Sequence, residues 1–336
     1  MKPYLVDVPV AIQAFVRPEM LKQQWAVIKE ARPSILFISS DGPRETVPTD
    51  AELIRQSRTV TEDIDWDCTV YRLYEEKNIG MYGMMYKFSA FIWGKVDRCI
   101  YLEDDQVPAV SFFHFCAELL EKYKDDLRIE KITGVNLCGV WDDTPDDYFF
   151  ARVPASSGVA MWRRTYEMQD TELRYAENPY VMEHIKRDLP WYLKKQFVSF
   201  AKTGTYANHK PGFEFYTRHA EYMQNRLVIV PKYNQIANNG VGLGSTHTGI
   251  SMKTMPKELH KQYGMKTYEY QFPLYHPSFV FPDTKFEKQR EKQLGVGSRA
   301  QVLLRTFERI IRLILTGNVK KVLLGIRKRF NGTVEK

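Results

Sequence analysis

A chain of 336 residues, 44% hydrophobic and 26% charged, has room for one large α/β domain or two small ones. Its formal charge of +7 is confined to residues 298–336, where ten Lys or Arg face two acids; that segment is net +8 and the rest −1, which excludes a nucleic-acid groove across the body of the protein. Cys68, Cys99, Cys116 and Cys138 form no CxxC pair, which argues against a zinc site and for buried free thiols in a reducing compartment.

In chain order, Val8–Phe15 reads as a strand, and Pro18 opens a helix to about Ala31 with Met20, Leu21, Trp25 and Ile28 on one face. Ile35–Ser39 is a second strand, ended by Asp41-Gly42-Pro43, and a helix over Ala51–Thr61 and a strand over Cys68–Leu73 follow. Asn78–Gly83 reads as a loop, Tyr86–Trp93 as a helix, Cys99–Leu102 as a strand, Phe112–Tyr123 as an amphipathic helix and Lys131–Val140 as a strand. This alternation predicts a mostly parallel, doubly wound α/β sheet. Trp141–Phe150 reads as a loop, Gly158–Trp162 as a strand, and Thr165–Lys195 as helix broken at Pro179 and Pro190. A helix over Phe213–Gln224, a strand over Leu227–Pro231, a loop over Asn238–Thr248 and a Pro-rich strap over Phe272–Pro282 complete the body.

The tail has another character. Val302, Leu303, Phe307, Ile310 and Ile314 share one helical face, with Leu304, Ile311 and Leu315 beside it, and Arg305, Glu308, Arg309 and Arg312 take the other. After Gly317-Asn318 a second basic stretch follows, with Val322, Leu323, Ile326 and Phe330 apolar. Cationic amphipathic helices of this kind lie in anionic membrane surfaces; the competing reading docks the apolar face on the domain. No apolar run is long enough to span a bilayer. Met1–Val10 lacks a charged start followed by a long apolar stretch, so no signal peptide is expected. The chain is expected in the cytoplasm, peripheral on the inner face of the cell membrane.

The strand Cys99-Ile100-Tyr101-Leu102 runs straight into Glu103, Asp104 and Asp105. Open α/β sheets bind ligands at the carboxyl ends of their strands. Three acids there repel one another unless a cation sits among them. A divalent ion, Mg2+ or Mn2+, carrying a phosphorylated ligand would satisfy them. The plainer reading makes the acids the N-terminal cap of the helix that follows.

Asn78-Ile79-Gly80, Tyr101 to Pro108, Ser111-Phe112-Phe113 and Ile132 to Asn136 resemble successive blocks of the GT-A glycosyltransferases. Among these they resemble a family of bacterial nucleotide-diphosphosugar transferases, itself similar to the N-acetylglucosaminyltransferase I family. Pro231-Lys232-Tyr233-Asn234, Asn238-Asn239-Gly240 and Thr246-His247-Thr248 resemble that family's downstream blocks, so the likeness runs from about Pro9 to Thr248.

The resemblance implies a GT-A fold with a nucleotide-sugar-binding half over residues 1–150 and an acceptor-binding half over 151–285; residues 286–336 form the basic tail. It implies that Asp105 binds a metal bridging the donor phosphates, with His247 as a second ligand or phosphate contact. Asp104 would accept hydrogen bonds from ribose or sugar, and Glu103 would be oriented by the sheet or would accept from donor sugar hydroxyls. Arg17 would contact the nucleotide, Asp41 the base or ribose, and Asn78 and Gly80 would shape the donor loop. The family usually carries Trp-Asp where this chain has Phe213-Glu214, so Glu214 becomes the base that deprotonates an acceptor hydroxyl, with inversion at the anomeric carbon. Asp170, Glu172 and Glu183 are rivals for that role, and Trp141 and Trp162 are candidates to stack on sugars.

The activity implied is metal-dependent transfer from a nucleotide-diphosphate sugar, by family habit a UDP-sugar, to a glycan or lipid-linked acceptor in surface polysaccharide synthesis. One alternative is a non-catalytic nucleotide-sugar-binding scaffold on the same fold. A sugar-phosphate nucleotidyltransferase is the other; it would need a Gly-rich loop where this chain reads Ala14-Phe15-Val16-Arg17-Pro18-Glu19.

Overall fold

The computed structural model describes residues 1–152, 157–206, 209–241, 252–320 and 322–323. Its first half alternates as the hydrophobic periodicity predicts. β1 (Val6–Ala14), α1 (Pro18–Ala31), β2 (Pro33–Ser40), α2 (Asp50–Val60), β3 (Thr69–Tyr74), α3 (Gly80–Trp93) and β4 (Arg98–Glu103) lead to β5 (Gln106–Pro108), α4 (Ser111–Lys122) and β6 (Ile129–Thr133). Then come β7 (Tyr148–Ala151), β8 (Val159–Trp162), α5 (Arg163–Glu167), α6 (Pro179–Asp188), α7 (Trp191–Thr203), α8 (Phe213–Met223), β9 (Leu227–Pro231) and β10 (Ile236–Asn238). α9 (Lys257–His260), α10 (Thr284–Gln293) and α11 (Arg299–Leu315) close the chain.

Eight strands form one mixed sheet in the order β3-β2-β1-β4-β8-β6-β9-β7. β3, β2, β1 and β4 run parallel, β8 runs antiparallel to both β4 and β6, β9 is parallel to β6, and β7 is an antiparallel edge. This is the α/β, Rossmann-like architecture that the alternation predicts. From β1 the chain winds outward to β3, then returns to place β4 on the other side of β1. A reversal of that kind opens a crevice at the carboxyl ends of the two central strands.

Helices cover both faces, which is why β1 and β2 are apolar almost throughout. One face packs Leu21, Trp25 and Ile28 of α1 and Phe112, Phe113 and Leu119 of α4 into the main core. The other packs Phe88 and Ile92 of α3 on Ala11, Phe37, Cys99 and Met161. A separate core of Tyr175, Ile185, Phe197, Phe200 and Phe215 holds α6, α7 and α8 together. α6 begins at Pro179 and α7 directly after Pro190, where proline fits the first helical turn.

Four elements differ from the sequence reading. α3 starts at Gly80, inside the expected Asn78–Gly83 loop, because the Asp41 side chain accepts the N–H groups of Ile79 and Gly80, both at 2.9 Å. Tyr148–Ala151 is an edge strand rather than loop, and the Pro-rich strap beside it bridges Phe150 to Pro282. The strand expected over Lys131–Val140 stops at Thr133, where the Val135 N–H turns back onto Thr133 Oγ1 at 3.1 Å. Finally, Gln106–Pro108 and Ile236–Asn238 pair as a small two-stranded sheet.

The tail helix is docked with its polar side inward. Glu308 accepts the Lys257 N–H at 2.9 Å and Arg305 Nη1 donates to the Leu294 carbonyl at 2.5 Å. Leu303, Leu304, Phe307, Ile311, Ile314 and Leu315 are exposed, and only Leu313 of this helix is buried. Among the described residues no helix is long and apolar enough to cross a membrane.

Gly42 follows β2 in a place where an added Cβ would lie 2.5–2.6 Å from backbone atoms of Lys77 and Glu76. Backbone cannot give way as a side-chain tip does. Gly42→Ala is expected to lower unfolding stability in urea by about 1–3 kcal/mol, the usual range for overpacking. A midpoint equal to wild type would show that the approach of the two loops is not tight.

Candidate active site at the carboxyl ends of the central strands

β4 ends at Glu103, and the chain turns through Asp104 and Asp105 into β5. The turn removes the acids from the start of α4. That helix is capped instead by Glu269, whose carboxylate accepts the N–H groups of Val110 at 3.0 Å and Ser111 at 2.7 Å. Two buried glutamines brace the turn. Gln24 Nε2 donates to the carbonyls of Glu103 (2.6 Å) and Gln106 (2.7 Å), and Gln106 Oε1 accepts from the N–H groups of Glu103 (3.2 Å) and Gly158 (2.7 Å).

The cation expected among the acids is present as a side chain. Arg17 Nη1, just past β1, donates to Asp104 Oδ1 at 3.1 Å and to Asp105 Oδ2 at 2.6 Å. The Phe15 N–H adds a bond to Asp104 Oδ2 at 3.1 Å. Burial still pushes the Asp104 carboxyl up to about 6, with Arg17 pulling the other way. Glu103 meets solvent along the cleft but is enclosed by protein. Its desolvation, with repulsion from Asp105, Glu214 and Asp104, pushes its carboxyl up to about 8.

Asp41 is a hub rather than a free ligand. Its carboxylate accepts from Gly42 N (2.8 Å), Asn78 Nδ2 (3.0 Å) and the Ile79 and Gly80 N–H groups. Asn78 Nδ2 also reaches the Gly42 carbonyl at 2.9 Å. Gly80 has φ +76°, a conformation that glycine adopts without strain. These bonds fold the loop from Asn78 to Gly80 onto the end of β2.

A cavity of about 390 Å³ opens over these strand ends, within the range of small-molecule sites. Its walls include Arg17, Asp41, Asn78, Gly80, Glu103, Asp104 and Glu214. The structure therefore brings seven of the nine expected site residues to one space. Asp105 does not line the cavity; it lies behind Arg17, with its backbone carbonyl bound by the Asn239 N–H at 2.8 Å and Gly240 packed on its carboxylate. His247 falls outside the described residues.

Glu214 stands in the first turn of α8, exposed to the cavity. Gly212 precedes it at a point where a Cβ would lie 3.1 Å from the Tyr82 ring and 3.3 Å from Glu214 Oε2, so the missing side chain lets ring and carboxylate come together. The rivals are elsewhere. Asp170 is taken up by the N–H groups of Arg174 and Tyr175, and neither Glu172 nor Glu183 lines the cavity. Neither Trp141 nor Trp162 lines the cavity; Trp162 is a core residue and Trp141 is half-buried against the core. Trp141 packs on Phe149 and Phe286 with its Nε1 on Asp283, and buried Trp162 donates to the Leu120 carbonyl.

Residues not foreseen complete the walls. Arg44, gripped through Nε and Nη2 by the buried Asp50, lies over the Phe15 ring at 5.3 Å and lines the cavity. Gln24 had a readable signal, being a polar residue at a buried position of α1 between Leu21 and Ile28. Behind α8 runs a buried ionic layer. Lys131 donates to Thr217 Oγ1 at 3.2 Å, burial pushes its amine down to about 8, and burial pushes the Glu221 carboxyl in the other direction, up to about 8.

A divalent ion can be tested against these residues. Asp105 Oδ1 is buried without a hydrogen-bond partner, and a buried polar oxygen of that kind calls for a partner such as a cation or a water. Among the described residues no cluster of three or more His, Cys, Asp or Glu side chains is arranged to hold a metal. The site thus fits Mg2+ or Mn2+ only in the manner those ions usually take, with one carboxylate and the remaining ligands from substrate phosphates and water.

No family model matches the sequence, and no curated protein does. Solved structures share the outline at low similarity. A UDP-glucose pyrophosphorylase complexed with UDP-glucose is 10% identical, covering 69% of this chain and 93% of its own, with a TM-score of 0.36. The glycosyltransferase GlyE of Streptococcus pneumoniae is 10% identical over 74% of this chain and 57% of its own, TM-score 0.29. A 4-diphosphocytidyl-2C-methyl-D-erythritolsynthase of Anaerococcus prevotii is 11% identical over 65% and 99%, TM-score 0.30. At these scores the likeness assigns no activity.

Removing Arg17 would leave Asp104 and Asp105 buried without their counter-charge, a loss of about 3–5 kcal/mol in comparable cases. A carboxyl whose folded pKa is raised adds stability below the ordinary carboxylate range and loses it as pH rises through the folded value. Arg17→Met lifts Asp104 further, so its penalty in urea unfolding is expected to be larger at pH 8 than at pH 5. An equal penalty at both values would mean that the guanidinium does not carry the charge balance.

Proposed function

We propose that this chain is a metal-dependent, inverting glycosyltransferase that moves a sugar from a nucleotide-diphosphate sugar, by preference a UDP-sugar, to a hydroxyl of a glycan or lipid-linked acceptor in surface polysaccharide synthesis. The observation that carries the reading is the single cavity in which Arg17, Asp41, Asn78, Gly80, Glu103 and Asp104 face Glu214. Residues 1–150 supply the donor side and 151–285 the acceptor side.

The roles follow from charge and position. Arg17, already bound to two carboxylates, is the cation nearest the acid turn and would share its guanidinium with the donor phosphates. The Asn78–Gly80 loop and Arg44 over Phe15 would flank the nucleoside. Asp104 and Glu103 would hold sugar and ribose hydroxyls. Mg2+ or Mn2+ held at Asp105, with His247 as proposed second ligand, would neutralise charge on the departing nucleoside diphosphate. Glu214, the exposed carboxylate across the cavity, would take the proton of the incoming acceptor hydroxyl while that oxygen attacks the anomeric carbon.

Calorimetric titration of uridine, guanosine, cytidine and thymidine diphosphates is expected to show Mn2+-dependent binding of one of them, lost in Asp105→Ala. Glu214→Gln should keep that binding and lower turnover by at least about 100-fold, the usual span of general-base catalysis. A folded protein that binds none of the four would end the proposal. Binding without turnover on any donor would favour the scaffold alternative.

The tail is assigned to an anionic membrane surface. Its outward apolar face and basic flanks support this, since a helix docked through its apolar side would bury those residues. Sedimentation with vesicles rich in phosphatidylserine should carry the protein down, neutral vesicles less so. Leu304→Ser with Phe307→Ser should reduce the bound fraction several-fold. Equal partition of the double variant would point to another role for this helix.

A further inference from the structure

The cavity does not end at the acid turn. It follows α3 from Gly80 at the amino end to Ile92 and Trp93 at the carboxyl end, a span of about 18 Å at 1.5 Å per residue. Met84 and Met85 line it one turn in from Gly80, and its far part runs between Ser89, Ile92 and Trp93 on the helix side and Cys99 and Met161 on the strand side. The charged groups of the cavity, Arg17, Asp41, Arg44, Glu103, Asp104 and Glu214, all gather at the other end. Uncharged polar side chains also line it, Tyr86, Ser89, Tyr101, Tyr166, Gln169 and Tyr216 among them, but most of its surface is apolar.

Close-packed interiors leave few voids larger than a water molecule. Water gains little against a wall that is mostly apolar, and a mostly apolar chamber of this length is a natural berth for a hydrocarbon. Methionines suit such a wall, because their unbranched side chains adapt to the shape of the occupant. One charged end and one apolar end match an amphiphile. We propose that the inner gallery receives a single hydrocarbon chain whose hydroxyl-bearing head lies at the charged end, beside Glu214. The assignment rests on the glycosyltransferase reading in one respect: the amphiphile is then the acceptor, and its chain enters the protein rather than staying wholly in the membrane.

The test uses alkyl β-glucosides from methyl to dodecyl, below their micelle concentrations, titrated calorimetrically into the full chain. Each methylene buried in the gallery should tighten binding about threefold to fourfold, and the gain should stop once the gallery is full. Ser89→Phe, which narrows the middle, and Met161→Trp, which fills the far end, should move that plateau to shorter chains and weaken decyl glucoside at least tenfold. Near-UV circular dichroism and diphosphate binding report whether each variant is folded; Ser89→Phe, at a half-buried position, keeps the test alive if Met161→Trp is not.

Binding independent of chain length would overturn the proposal. So would folded variants that bind decyl glucoside like wild type, or a plateau abolished by Leu304→Ser with Phe307→Ser on the tail. Diphosphate binding without chain-length dependence would remove the gallery and leave the glycosyltransferase reading standing. A chain-length plateau sensitive to Ser89→Phe, in a protein that binds no diphosphate, would do the reverse.

Discussion

The guanidinium of Arg17 between Asp104 and Asp105 is the contact on which the rest of the site depends. A strand that ends in three acids can close only if their repulsion is answered, and burial raises what each unanswered charge costs. The answer comes from the neighbouring strand, so β1 and β4 are tied at their carboxyl ends by charge as well as by their ladder. Gln24 and Gln106 then satisfy the backbone of the turn, which fixes the direction in which the acids point. On the proposed reading, an incoming phosphate would meet a cation already oriented and would compete with carboxylates for it. Affinity is given up in exchange for a site that holds its shape before the ligand arrives.

A second carboxylate does for the opposite wall what Arg17 does for the floor. Asp41 gathers four N–H donors from Gly42, Asn78, Ile79 and Gly80. Two of those donors belong to the start of α3, where unpaired N–H groups and the helix dipole favour an anion. The same bonds set where α3 begins and how it lies over the sheet, and the gallery is the space that this placement leaves. The Asn78–Gly80 loop and the inner chamber are thus positioned by one side chain just past the end of β2.

Much of this was legible in the residues. The alternation of apolar runs gave the strand and helix order of the first half, and the acid-tipped strand marked the end of the sheet that carries the cavity. What escaped reading was short or non-local. Three-residue β5 and β10 have no periodicity to detect, and they find each other across the chain. The start of α3 depends on a side chain some 38 residues away in sequence. Tyr148–Ala151 looked like loop because the acidic run before it hides four buried residues. Trp141 and Trp162 carry the same chemistry in a core as on a sugar, and only packing partners tell the two apart.

Two acids on α8 show how environment divides the work of one element. Glu214 sits in the first turn, exposed to the cavity. Glu221, seven residues on, is fully buried, and burial holds its carboxyl toward the neutral form against the pull of Lys131 and Arg290. A neutral or internally paired layer at that depth lets α8 pack flat on β6, where Thr217 meets Lys131. Phe215 and Tyr216 lock the adjoining face into the second core. The helix cannot slide without breaking both contacts. The exposed carboxylate at its tip therefore keeps its place by virtue of residues that never see the cavity, and the base proposed there would need that support, since geometry comes before pKa in proton transfer.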